Sequence, residues 1–155
     1  MFCGLLDHID IAGAVITADA MHAQHSHATY LAGRGARYLL TVKGNQPGRH
    51  AQLAALPWRE IPVACDTRER GHGRREHRTL KITAVARGLL FPHAAQAIQI
   101  VRRRRLKGKK RSAETCYAVT SLTATQASPA DLAAIIRGRS GGMGRGRPSG
   151  RRMSW

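Results

Sequence analysis

The most constraining feature of this sequence is an apolar run that ends in a carboxylate and is followed, one helix later, by a second run of the same length. Gly13-Ala14-Val15-Ile16-Thr17-Ala18-Asp19 places β-branched Val15, Ile16 and Thr17 between a glycine and an acid, the pattern of a short buried strand closed by Asp19. From Ala20 to about Ala32 the spacing is helical, with Gly33 and Gly35 as stop signals, and Arg37-Tyr38-Leu39-Leu40-Thr41-Val42-Lys43 reads as the next strand. Such a strand-helix-strand unit favours parallel pairing through a right-handed crossover, with ligands at the carboxyl ends of its strands. Asp19 and Lys43 both fall at such an end.

Beyond this unit the texture changes. Pro47 opens a second helix through Leu56, and Pro57 and Pro62 then break the pattern. The stretch from about 63 to 123 reads as antiparallel β. Thr67–Arg70 and Arg78–Val85 flank a Gly71-His72-Gly73 turn, and Ala97–Arg103 and Thr115–Leu122 flank a basic loop over Arg104–Arg111. Ser128-Pro129-Ala130-Asp131 is an N-cap with proline at the first helical position, opening a helix to about Arg137. From Arg137 to Trp155 the chain holds six Arg and six Gly with no acid, so 138–155 is expected to be a disordered basic tail.

Charge decides the class of partner. The 155 residues carry 26 Lys+Arg against 9 Asp+Glu, a formal net charge of +17. Without the last 19 residues, 20 cations still face 9 acids, so the body is basic in its own right. A surplus of this kind calls for a polyanion, because each cation that neutralises a phosphate releases a condensed counterion. Cys3, Cys65 and Cys116 are odd in number and never spaced as a C-x-x-C pair, which argues against a disulfide framework or a zinc finger and fits a cytoplasmic protein. No run approaches the ~18 apolar residues of a membrane span and no secretory leader is evident. Neither a membrane nor a small-molecule substrate is expected as a partner.

Gly13–Gln24 together with Tyr38-Leu39-Leu40-Thr41-Val42-Lys43-Gly44-Asn45-Gln46 resembles the transposases of the H-repeat-associated (ISAs-type) insertion sequences. Three further matches follow in order: Arg68–Arg74 with Glu76 and Arg78, the stretch Phe91–Arg103, and Tyr117-Ala118-Val119-Thr120-Ser121-Leu122. The resemblance covers roughly 5–137 and implies a DDE-type DNA transposase whose ribonuclease H-like core holds two divalent metals, Mg²⁺ by expectation, between two Asp and one Glu. Two such ions activate a nucleophile on one side of a phosphodiester and stabilise the leaving oxygen on the other, and carboxylates suit a hard cation. On this resemblance 1–137 is a partial catalytic domain of α/β class with an antiparallel β insertion.

By position Asp19 matches the family's second catalytic Asp, and the resemblance implies for it the role of metal ligand. The other two carboxylates have no match: neither Asp7 nor Asp10 has the Asp-Gly-Lys context of the first, and no Glu follows Glu114. The expectation is therefore a chain truncated at its N-terminus and frameshifted near Gly138, where family-like sequence gives way to Gly, Arg, Ser and Pro. Such a fragment binds DNA but does not cut it. The alternatives are a non-enzymatic DNA-binding protein that competes with, or joins, an intact transposase subunit, and a pseudogene product without function.

Each feature also has a plainer meaning. Asp19 could serve only as the N-cap of the following helix. His22, His25 and His27, close to it in sequence, read as surface or packed histidines rather than metal ligands. Lys43, Asn45 and Gln46 are either DNA contacts or a polar turn. Arg102, Arg103, Arg104, Arg105, Lys107, Lys109, Lys110 and Arg111, eight cations in ten residues, form either a solvated hairpin tip or a phosphate-tracking loop. Trp58 reads as packing, and Cys65 and Cys116 as small buried hydrophobes.

Overall fold

The computed structural model describes residues 7–19, 25–44, 46–85, 91–138 and 152–154, with Asp19 and 152–154 described by their backbone. Strand β1 (Val15–Asp19) is followed by helix α1 (His25–Gly33), strand β2 (Arg37–Val42) and helix α2 (Pro47–Ala54). Strands β3 (Cys65–Gly71), β4 (Arg74–Ala84), β5 (Gln96–Leu106) and β6 (Ser112–Thr120) come next, then helix α3 (Pro129–Arg137) and a short strand β7 (Arg152–Ser154). All seven strands join one sheet in the order β3-β4-β5-β6-β2-β1-β7. The first helix had been expected from Ala20; residues 20–24 lie outside the described residues.

β1 and β2 pair in parallel, with Val15 opposite Arg37 and Asp19 opposite Thr41, the pairing that the strand-helix-strand pattern favours. β2 pairs on its other side with β6 in the antiparallel sense, Leu40 opposite Val119. The antiparallel strands therefore continue the same sheet. Of the expected disordered tail, Arg152–Ser154 pairs in parallel with β1, and 139–151 and 155 lie outside the described residues.

Helices cover both faces of the central strands, so β2 is buried on both sides and reads as a nearly unbroken apolar run. On one face Ile16, Tyr38, Leu40, Val42 and Val119 pack with Ala28 and Leu31 of α1, Leu53 of α2, Trp58 and Phe91. On the other, Leu39, Leu80, Ile98, Ile100 and Ala118 pack with Leu132, Ala133, Ile135 and Ile136 of α3. Trp58 is buried, and its indole nitrogen donates to the Leu53 carbonyl at 2.7 Å, so it is a packing residue as anticipated. Cys65 and Cys116 are half-buried against the α3 core, and burial pushes the Cys116 thiol up.

Local chemistry sets the element ends. Ser128 accepts from the Asp131 amide at 3.2 Å while the Asp131 carboxylate accepts from the Ser128 amide at 2.9 Å, a reciprocal cap that starts α3 where the sequence placed it. The β3–β4 hairpin turns on two left-handed residues, His72 (φ 47) and Gly73 (φ 72), the type I′ geometry that matches strand twist.

The expected basic loop over Arg104–Arg111 requires correction. Arg102, Arg103, Arg104 and Arg105 all lie within β5, and the connection to β6 is only 107–111. Backbone pairing continues outward with Arg105 opposite Arg75 and Arg104 opposite both Glu76 and Ser112, so the ladder holds the arginines in extended conformation. A run of four arginines carries no signal of its own for such pairing, because its partners lie in other segments, more than twenty residues away in β4 and across the 107–111 turn in β6.

Candidate nucleic-acid interface

Two regions hold the candidate residues. The first is the carboxyl end of β1 and β2. Asp19 closes β1 in register with Thr41, and Lys43, two residues after Thr41, follows β2 directly and is exposed. Asn45 lies outside the described residues. Gln46 is half-buried at the N-cap of α2, where its amide donates to the Lys43 carbonyl at 3.0 Å and its side-chain oxygen accepts from Arg49 at 3.5 Å. Both strands thus bring Asp19 and Lys43 to one end of the sheet. Of the nearby histidines, His25 stands edge-on to Phe91 with centroids 5.2 Å apart, and His22 lies outside the described residues.

Among the described residues, the donor set at this end does not fit a two-metal centre. Among the described residues, no group of three His, Cys, Asp or Glu could hold a metal ion. Most of the other carboxylates have different partners. Asp7 accepts from the Tyr30 hydroxyl at 2.5 Å, Asp10 from the Ala12 amide at 3.1 Å, Asp66 pairs with His77 at 2.9 Å, and Glu69 with Arg137 at 3.5 Å.

The second region is the outer part of the sheet, where β3, β4, β5 and β6 run past the helices. Strand alternation divides its cations between two faces. On the α3 face, Glu76 gathers four arginines: Arg74 at 2.5 Å, Arg78 at 2.6 Å, Arg102 at 2.7 Å and Arg104 at 3.4 Å. The Glu76 side chain is only 8% exposed. Burial pushes its carboxyl up, but hydrogen bonds from Arg102 and Arg74 and the charges of Arg102 and Arg78 outweigh burial and hold it below the ordinary glutamate range. Arg102 and Arg104, both expected as DNA contacts, are therefore engaged by an internal counterion.

The opposite face is different. Register places Arg70 opposite Arg75 and Arg75 opposite Arg105, and two residues further in Arg68 opposite His77 and His77 opposite Arg103. All five arginines are exposed. The carboxylate on this face, Asp66, pairs with His77 and lies 3.6 Å from Arg68, and the His77 hydrogen bond leads in holding it below the ordinary aspartate range. Arg70, Arg75, Arg103 and Arg105 have no ion pair or side-chain hydrogen bond among the described residues. The 107–111 turn adds exposed Lys107, Lys109, Lys110 and Arg111. Arg68, Arg70 and Arg75 were not singled out as contacts from the sequence. Their signal is the two-residue spacing of 68/70 and 103/105, which acquires meaning only once the strands are aligned.

A family model described as a transposase DDE domain matches residues 1–141. The chain belongs to the DDE transposase domain family. No curated protein and no solved structure matched it. The mixed α/β sheet is consistent with a DDE transposase domain, and DNA is the substrate class of the family. Among the described residues no helix is long and apolar enough to cross a membrane.

Proposed function

We infer that this chain is a DNA-binding form of an insertion-sequence transposase domain of the H-repeat-associated type, and that by itself it holds duplex DNA without cutting it. The observation that carries this reading is the transposase DDE domain match over 1–141 on a chain of net charge +17. The parallel β1–β2 pair joined through α1, with helices on both faces, supports a ribonuclease H-like arrangement around Asp19. Binding is largely independent of sequence, because abundant cations contact phosphates and no helix-turn-helix or finger is present in the sequence to read bases.

Cleavage is a separate matter. One matched carboxylate cannot fix the pair of hard divalent cations that in-line displacement at phosphorus requires, so the chain alone is inactive. In the presence of Mg²⁺ the purified protein should shift a DNA duplex in a gel while leaving supercoiled plasmid unnicked, as should its Asp19→Ala variant. Nicking by the parent chain that Asp19→Ala abolishes would overturn the inactive reading. Loss of family-like sequence after Gly138 is attributed to a frameshift, and the coding DNA read one nucleotide out of frame should then spell a Glu-containing helix. In a cell that also holds an intact transposase, such a chain would compete for DNA or join its complexes.

A further inference from the structure

We propose that the open face of β3, β4 and β5 is the DNA-contacting surface, an arginine lattice of Arg68, Arg70, Arg75, Arg103 and Arg105 around His77 that seats the phosphates of a duplex. This deepens the DNA-binding reading and rests on it. The lattice has two rows, Arg70-Arg75-Arg105 and Arg68-His77-Arg103, each crossing three adjacent strands. Neighbouring strands lie about 4.8 Å apart and rows two residues apart are separated by about 6.7 Å, so the patch spans roughly 10 Å by 7 Å.

Like charges directly opposite one another destabilise a sheet. The α3 face of the same strands avoids that penalty by placing Glu76 among Arg74, Arg78, Arg102 and Arg104. Among the described residues the lattice face has no equivalent for its outer row. An exposed row of three arginines with no acid beside it among those residues is a surface suited to a counterion from outside the chain. Duplex DNA carries one charge per about 1.7 Å of axis, dense enough to meet both rows and the adjoining Lys107–Arg111 turn together. The same alternation divides Arg102–Arg105 by function: Arg103 and Arg105 face DNA, whereas Arg102 and Arg104 hold Glu76.

The test compares the full chain with Arg75→Ser/Arg105→Ser and with Arg70→Ser/Arg103→Ser, measuring affinity for a 20-base-pair duplex from about 50 to 200 mM salt and the melting temperature of each protein. Removing two phosphate contacts should make the slope of log K against log salt shallower by about 1.8, so raising salt fourfold costs about tenfold less affinity than in the parent. The melting temperature should hold or rise by about 2 °C as like-charge contacts vanish. Arg102→Ala should instead lower the melting temperature and leave the slope unchanged. If the parent binds the duplex but both double variants keep its slope, the lattice assignment fails while the DNA-binding reading stands. A parent that binds no duplex, or binds only anionic vesicles, overturns both. If both double variants lose the melting transition, the arginines are structural and the proposal falls.

Discussion

Glu76 shows how one residue can set the charge state of a surface. Its carboxylate is nearly buried and takes hydrogen bonds from Arg74, Arg78 and Arg102, with Arg104 beside it at 3.4 Å. Truncating one member of a buried ion cluster leaves its partners uncompensated, so Glu76→Ala should lower stability by about 3 kcal/mol, seen as a drop in denaturation midpoint. The pH dependence has a definite sign. A glutamate whose folded-state pKa is depressed contributes stability that is complete above its ordinary value of 4.5 and is lost as pH falls through the lower folded value. Melting temperatures of the parent should therefore fall in acid below that value, while a Glu76→Gln variant should lack this part of the decline. A parallel acid response in both proteins would remove Glu76 from that role.

The elements owe their ends to short-range chemistry that single substitutions can probe. Ser128→Ala removes the oxygen that accepts from the Asp131 amide and should cost about 1 kcal/mol in chemical denaturation. At the β3–β4 turn a Cβ added at Gly73 would meet only Lys107 Cβ at 3.6 Å, an ordinary contact, so the cost of Gly73→Ala comes from its φ of +72. About 1 kcal/mol is expected. His72, also left-handed at φ 47, should gain about 0.5 kcal/mol on substitution by Asn, which tolerates that conformation better. A loss of stability in His72→Asn would mean that the imidazole makes a favourable contact the turn geometry does not require.

Across the whole molecule, β2 couples the two cores. Leu39 faces the α3 core and Leu40 the α1–α2 core, on adjacent residues of one strand. β2 also pairs with β1 on one edge and β6 on the other, and the Thr120 hydroxyl donates to the Tyr38 carbonyl at 2.7 Å across that second junction. Unfolding should therefore be one transition, with far-ultraviolet circular dichroism and tryptophan fluorescence coincident along a denaturant series. Leu39→Ala, at 0% exposure, should cost about 3 kcal/mol and shift both signals together. Two separated transitions would show the α3 core melting apart from the rest.

The sequence by itself determined what neighbouring residues can decide. Val15-Ile16-Thr17 made a strand, Pro47 began a helix, and Ser128-Pro129 capped another. These signals act over a few residues and survived folding almost unchanged, as did the basic body that points to a polyanion. Only the tertiary structure decided the fate of Arg102–Arg105. Whether such a run is a loop or a strand depends on backbone partners in β4 and β6, and a strand once paired sends alternate side chains to opposite faces. Register then placed Glu76 among one set of arginines and left the other set facing outward beside Arg70 and Arg75. The tight turn sets the β3–β4 register locally, but short-range preference carries no information about the β4–β5 register, which is fixed by hydrogen bonds and burial between segments distant in the chain.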